Sequence, residues 1–194
     1  MAKLVAKMLL VSGGYAGFVH PGALESQAEL DFVKSHIKTG KEPWVTEFNR
    51  AKNDQMATRT PHGGTTSCSP DCKDMMDDAT GAYVQALLWH YTDDTRYAES
   101  AIKILNSWVN FETIQSGPTP SQGNLDAGWV GAVMAPAAEL MRDYSKWAKS
   151  DIEAVQAMFK KAFYPWLTTM KPLGFAIFLF GILGDFLVFF EKVF

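Results

Sequence analysis

The stretch Asp78–Trp108, DATGAYVQALLWHYTDDTRYAESAIKILNSW, is the strongest structural signal in the chain. Its apolar residues recur at the spacing of an α-helix in two successive segments, which predicts two amphipathic helices. Between the segments, Thr92-Asp93-Asp94-Thr95 supplies turn formers and side-chain oxygens that can cap the second helix. Because a connection this short makes two helices antiparallel neighbours, the sequence predicts a helical hairpin here.

Further helices are predicted on both sides of this hairpin. Ser26-x-x-Glu29 and Ser150-x-x-Glu153 have the pattern of a capping box, and each precedes an apolar stripe at helical spacing. Pro43 is placed to start another helix as its first residue. Since no segment carries a convincing strand pattern, the fold is predicted to be all-α.

The arrangement of these helices favours a toroid over a solenoid. A helix is expected over residues 127–144, capped by residues 124–126 and kinked or broken at Pro136. A regular array of helical hairpins repeats every 34 residues or so, but counting on by about that period from Tyr83 leads into a Gly-Pro loop. Helical hairpins of unequal length with long loops between them fit an incomplete α/α toroid with a hydrophobic C-terminal helix.

Composition narrows the class of protein and of ligand. The chain has 194 residues, 47% of them hydrophobic and 20% charged, which is typical of a globular domain with a core. The net charge of −3 gives no indication of nucleic-acid binding. Six Trp and six Tyr are many for this length. Most are expected in the core, and some could line a cleft and stack on sugar rings.

The two ends of the chain differ from its middle. Residues 1–17 have two lysines, a short apolar run and small residues, the outline of an export signal, although the run is short and the alternative is an irregular N-terminus. Residues 173–190 are apolar apart from Asp185, and at about 18 residues they lie at the lower limit for a membrane span. The tail at 171–194 is therefore a transmembrane helix, a buried terminal helix or a foreign sequence that replaces the rest of the domain.

The only cysteines, Cys68 and Cys72, lie in a Ser/Pro/Asp-rich loop. A disulfide between them fits an oxidising compartment. A metal site would need two more ligands, and His62 is the only histidine nearby, so no metal is predicted. A pair of free thiols is the remaining alternative.

Catalytic candidates come from scattered residues, because the chain has no nucleophile elbow, phosphate-binding loop, dinucleotide fingerprint or zinc-binding helix motif. His20 and His62 lie in predicted loops and are candidates for acid–base work. His90 and Tyr83 lie on the first helix of the hairpin; His90 is expected to be structural, and Tyr83 is a proton donor or base if its hydroxyl faces a cleft.

Substrate-binding candidates lie where loops meet helices. Residues 53–76 and 112–123 are rich in Gly, Pro, Ser and Thr, and irregular stretches of this length are either functional or plain surface loops. Arg59, Asn124 and Trp129 lie at or near their ends and could hold a sugar carboxylate and ring.

A family resemblance rests on several separate motifs. They are Phe18-Val-His-Pro-Gly22, Glu42-Pro-Trp44, Ala82-Tyr-x-Gln-Ala-Leu87, Tyr97-Ala-Glu-x-Ala-Ile-x-Ile-Leu-Asn-x-Trp108 and Leu125-x-Ala-Gly-Trp129. Together they resemble the alginate-lyase-like polysaccharide lyases over residues 18–170, and the hairpin is the most specific part.

The resemblance implies an exported α/α toroid that cleaves uronate polymers such as alginate by β-elimination. That reaction neutralises the C6 carboxylate, removes the C5 proton and protonates the leaving O4, without an obligatory metal or other cofactor. The Asn and His that serve as neutraliser and base in the family come from beyond Met170, where this chain has its apolar tail. The chain is therefore expected to be the N-terminal part of a lyase domain, secreted, periplasmic or membrane-anchored. Its activity is in question, and the alternative is a non-catalytic carbohydrate-binding or remnant module.

Overall fold

A computed structural model describes residues 19–22, 24–68, 72–114 and 120–168. The predicted export signal at 1–17 and the tail at 171–194, with the predicted span at 173–190, lie outside these residues. Among the described helices, none combines the length and apolar composition needed to cross a membrane.

The described part of the chain is built from helices joined by loops, which confirms the predicted all-α class. The toroidal arrangement stays a prediction. The elements in chain order are α1 (Gln27–Lys38), α2 (Trp44–Lys52), a 3-10 helix (Gln55–Thr58), β1 (Ser67–Cys68), α3 (Lys73–Thr92), α4 (Thr95–Ser107), β2 (Thr113–Ile114), α5 (Pro120–Met141), α6 (Lys149–Ala162) and α7 (Tyr164–Thr168). The two short strands pair in parallel.

Helix α1 begins as predicted. The Ser26 hydroxyl accepts a hydrogen bond from the Glu29 amide, and the Glu29 carboxylate accepts one from the Ser26 amide, so both halves of the capping box form. Gly40 follows the helix with a φ of +73°, a conformation that glycine adopts without steric cost. Pro43 is the N-cap of α2, one residue before the predicted position.

Helices α3 and α4 form the predicted hairpin, with Asp93 in the left-handed conformation at the turn and Asp94 capping α4 through the Arg96 amide. Helix α3 begins at Lys73, five residues before the stretch that predicted it, because Met75 is buried in the core. α3 also contacts α1, α2, the 3-10 helix and α5, so it is the central helix of the described fold.

Two predictions for the second half are wrong, the start of α5 and the cap of α6. Helix α5 begins at Pro120, not at residue 127. Of the kink or break predicted at Pro136, the break does not occur, because buried side chains on both sides of the proline hold the continuous helix in the core. Helix α6 has Ala148 as its N-cap, with no side-chain cap. Ser150 therefore lies inside the helix, where its hydroxyl bonds to the Asp151 carboxylate instead of forming the predicted second capping box.

Buried aromatic rings join the second half of the chain to the hairpin. Trp108 contacts Phe111, Phe111 contacts Phe163 and Phe163 contacts Phe159, with ring centroids 5.3 to 6.2 Å apart. All four rings are almost fully buried. This cluster fixes α6 against the end of α4.

Candidate functional site

Helices α3 and α5 run parallel, which decides which candidate residues share an end of the fold. Near their C-terminal ends, His90 Nε2 donates to the Leu140 carbonyl at 3.0 Å, and the rings of Trp89 and Tyr144 lie 5.2 Å apart. Burial lowers the pKa of His90. His90 is therefore a structural residue, as predicted, and the N-terminal ends of α3 and α5 lie together at the opposite end.

A buried carboxylate organises this opposite end. Asp78 is fully buried and accepts four hydrogen bonds: from Arg59 Nε at 2.8 Å, the His62 amide at 2.8 Å, the Gly63 amide at 3.2 Å and Trp108 Nε1 at 2.9 Å. Such a set of donors compensates the cost of burying the charge. Asp78 thereby holds the loop before β1 against α3 and α4.

Arg59, a predicted substrate ligand, is used within this network. Its Nε bonds to Asp78, and its Nη1 lies 3.8 Å from Asp77 Oδ2. The stem of the side chain packs over Gly81, where a Cβ atom would approach it to 2.7 Å. Two carboxylates thus compensate the charge of Arg59, which makes it a poor partner for a third, on a sugar.

His62, a predicted catalytic residue, is anchored through its backbone while its ring faces solvent. The side chain is 56% exposed, and Nε2 lies 3.3 Å from Asp74 Oδ2. A histidine beside a carboxylate can take up and release a proton. Because both side chains are exposed, solvent screens the interaction between them.

Tyr83, the other predicted catalytic residue, lies on a different face of α3. Its hydroxyl donates a hydrogen bond to Glu25 Oε1. Burial, and then the hydrogen bond to Glu25, raise the pKa of Tyr83 above its ordinary value, while burial raises that of Glu25. Tyr83 therefore keeps its proton at neutral pH and can act as a donor.

His20 belongs to a second histidine–carboxylate pair. Its Nδ1 lies 2.5 Å from Glu139 Oε1, and the Glu139 side chain is 1% exposed. Arg142 Nη1 lies 3.9 Å from the other carboxylate oxygen, which has no hydrogen-bond partner among the described residues. A buried carboxylate on Nδ1 orients the ring and favours the tautomer with the proton on Nδ1.

Asn124 and Trp129, the other predicted substrate ligands, lie on α5. Asn124 Nδ2 donates a hydrogen bond to the Trp166 backbone carbonyl at 2.6 Å and so joins α5 to α7. The Trp129 side chain is one of the few large apolar groups that are exposed in the described part, with 52% of its surface accessible. Trp129 can therefore stack on a ligand, whereas the Asn124 Nδ2 group is used in a contact between helices; the binding role of both residues stays a prediction.

The predicted residues do not come together in one pocket. Successive helix residues are about 100° apart, so Gly81, which faces Arg59, and Tyr83 point to nearly opposite sides of α3. Sequence reasoning missed two hydrogen-bond partners of the candidate residues, Glu139 of His20 and Glu25 of Tyr83. Glu139 could have been found as a lone carboxylate in an apolar run, but nothing local marks Glu25.

The structure joins Cys68 and Cys72 by a disulfide just before α3. The alternatives for these two cysteines were a disulfide, a metal site and a pair of free thiols, and the structure has the disulfide. Among residues with a described position, no group of three or more His, Cys, Asp or Glu side chains is arranged to bind a metal ion.

Comparison with known proteins gives one match. The model of the family described as alginate lyase matches residues 26–174, which is most of the chain. No curated protein and no solved structure matches.

Proposed function

Since the chain belongs to the alginate lyase family, a family of polysaccharide lyases, we propose that it cleaves a uronate-containing polysaccharide such as alginate by β-elimination. The finer assignment, to uronate and to this reaction, rests on the family and on the acid–base pairs that the described residues hold. No cofactor is needed, because the uronate carboxylate itself makes the C5 proton acidic.

Tyr83 is the proposed acid that protonates the leaving O4. The observation that carries this role is the hydrogen bond from Tyr83 to Glu25, a pair in which the pKa of both groups is raised. A tyrosine that holds its proton at neutral pH transfers it only where an oxygen develops negative charge, as O4 does when its bond to C4 breaks. Glu25 can orient the hydroxyl between turnovers.

His20 is the proposed base that removes the C5 proton, in preference to His62. His20 and Glu25 belong to the same short segment before α1, whereas His62 lies with Arg59 beyond the opposite face of α3. The Glu139 carboxylate stabilises the imidazolium that forms, and because it is buried its effect is screened less than that of Asp74 on His62.

The products of β-elimination carry an unsaturated uronate that absorbs in the ultraviolet, so the assay is direct. We expect the absorbance to rise when the protein acts on alginate. Tyr83→Phe and His20→Gln should lower the initial rate by about 100-fold or more, whereas the matched His62→Gln should leave it unchanged. Thermal unfolding of each variant shows whether the fold is retained.

The outcomes separate the claims. No absorbance rise on alginate or other polyuronates would refute the enzymatic function. A rise that Tyr83→Phe leaves intact would refute the role of Tyr83, and loss of the rate in His62→Gln but not in His20→Gln would reverse the assignment of the base.

A non-catalytic carbohydrate-binding module is the second candidate. Two observations favour it. Arg59 is already compensated by two carboxylates, so it is a poor neutraliser of a uronate carboxylate in β-elimination, and the exposed indole of Trp129 can stack on a sugar ring without any catalysis. Retention on immobilised alginate without any absorbance rise, weakened by Trp129→Ala, would support this function over catalysis.

Export is proposed as well, on the strength of the Cys68–Cys72 disulfide, since disulfides persist in oxidising compartments. Thiol labelling of the protein taken from its own compartment tests this: two reactive thiols without reductant would refute export. The membrane anchor proposed at 173–190 is refuted if alkaline carbonate releases the protein from membranes.

A further inference from the structure

A cluster of aromatic and basic side chains lies at the junction of α1 and α2, apart from the residues of the candidate site. Phe32, His36, Lys41 and Trp44 form it, and we call it the aromatic ridge. The Phe32 side chain is 52% exposed, which is unusual for a large apolar group in the described part of the chain.

The rings of the ridge hold one another in place. The His36 ring lies 4.1 Å from that of Phe32 and 4.3 Å from that of Trp44, and Phe32 meets Trp44 edge-on at 5.7 Å. His36 Nδ1 donates to the Phe32 carbonyl at 2.9 Å, and Nε2 accepts from Lys41 Nζ at 3.1 Å. These contacts present a preformed apolar surface, so a ligand need not order it on binding.

One cation borders this surface without a carboxylate among the described residues to compensate it. Lys41 Nζ lies 5.6 Å from the centre of the Trp44 ring. Lys41 forms no ion pair with any described residue, whereas Lys34 on α1 is paired with Asp93 at 2.6 Å. The nearby Glu47 is paired with Arg50.

We propose that the aromatic ridge binds an anionic polysaccharide, with the apolar face of a sugar ring on Phe32 and Trp44 and the sugar carboxylate beside Lys41. Rings that present an apolar face suit the C–H face of a pyranose, and uncompensated ammonium groups suit a carboxylate. The identification of the ligand as a uronate-containing polymer rests on the proposed function, but the ridge is separate from the proposed acid and base.

Such a surface would give the protein a second point of contact with its substrate. A polymer that repeats the same sugar can occupy the ridge and the reacting site of one molecule together. The second contact then raises the effective concentration of polymer at the first.

The test uses the full chain and two readouts, retention in gels containing alginate and the absorbance assay. We expect Phe32→Ala to weaken retention by about 3- to 10-fold, because it removes one ring from the stack. Phe32→Trp should restore it. Trp44 is not chosen because it also lines the cavity between α1, α2 and α3.

The charge contribution has its own variants. Lys41→Gln should weaken retention by about 2- to 5-fold at low salt and have little effect at about 1 M salt, where the charges are screened. Lys160→Gln is the matched control, because Lys160 is exposed on α6 and forms no ion pair among the described residues. Dextran, which is neutral, should retain neither the parent protein nor the variants.

Each outcome bears on the ridge separately from the lyase activity. If Phe32→Ala and Lys41→Gln lower retention and Tyr83→Phe does not, the ridge is supported even if no absorbance rise is seen. If Tyr83→Phe abolishes retention, or if Phe32→Ala leaves it intact, the ridge proposal is overturned while the proposed catalysis is unaffected. Binding to phosphatidylserine vesicles but not to alginate would also overturn it.

Discussion

Replacing the buried carboxylate of Asp78 by an amide should destabilise the protein more than any other single isosteric change at this end of the fold. In Asp78→Asn, the amide oxygen can replace Oδ2, which accepts from His62, Gly63 and Trp108. The amide nitrogen then faces Arg59 Nε, donor against donor, where Oδ1 accepted at 2.8 Å. A charge-assisted bond is lost, and the partly buried guanidinium loses the nearer of its two carboxylate partners.

The magnitude follows from that loss. A hydrogen bond to a charged group contributes about 1.5 to 3 kcal/mol, and breaking a buried ion pair costs about 3 to 5 kcal/mol. Because the Arg59 side chain is 24% exposed and Asp77 remains near it, we expect about 3 kcal/mol. With a urea dependence of about 2 to 3 kcal/mol per molar, the unfolding midpoint should fall by about 1 to 1.5 M.

Asp77→Asn is the matched control. Asp77 is one residue away, is 26% exposed and pairs with Lys73 at the surface, so its loss should cost less than about 1 kcal/mol. Equilibrium urea unfolding followed by tryptophan fluorescence measures both variants. Equal midpoints for the two would refute the view that Asp78 organises this end of the fold.

Three further changes test other contacts. Replacing both Cys68 and Cys72 by Ser should lower the free energy of unfolding by about 2 kcal/mol, a modest loss because the disulfide closes only a short loop. The loss should be seen as a lower melting temperature. An unchanged melting temperature would show that the bridge does not constrain the unfolded chain. Because burial and Glu25 raise the pKa of Tyr83 above its ordinary value of 10.0, stability should fall as the pH rises above 10, where unfolded tyrosines ionise first. Urea midpoints at about pH 9 and about pH 11 should differ less in Tyr83→Phe than in the parent protein, and an equal difference would contradict this. Gly81→Ala should destabilise the protein by about 1 to 3 kcal/mol in thermal unfolding, since the new Cβ would approach the Arg59 stem to 2.7 Å. A higher melting temperature would mean that the arginine moves aside freely.

Sequence spacing predicted the central hairpin because its signal is local. Apolar residues at helical intervals, the turn at Asp93 and the cap at Asp94 all lie within the stretch itself. The capping box at Ser26 was equally readable. The same pattern at Ser150 was misleading, because the chain enters α6 two residues earlier than the local pattern suggests.

The starts of α3 and α5 depend on distant partners, so the sequence did not reveal them. The first turn of α5 contains Gly123, a poor helix former, but the ring of Trp166 packs directly over it. Met75 at the start of α3 is buried by residues from elsewhere in the chain. Tertiary packing thus extended both helices into stretches that read as loops.

The candidate site was predictable in its residue types but not in its pairings. Arg59 and Tyr83 were singled out as polar groups beside loops and helices, yet their partners Asp78 and Glu25 lie in other segments. Which carboxylate meets which donor is set by the way helices cross, and no local pattern encodes that.

The weak attachment of α1 and α2 has a consequence for motion. Leu30 is the only residue of these two helices that is buried, and a cavity of about 180 Å³ lies between parts of their inner surface and α3. Few apolar contacts resist their opening, so their amides should exchange with solvent hydrogen faster than those of α3. The aromatic ridge spans the junction of the two helices, so a polymer bound to it would hold α1 and α2 together. It would therefore slow amide hydrogen exchange in these two helices selectively. Substrate would thereby tighten the part of the fold that the core holds least.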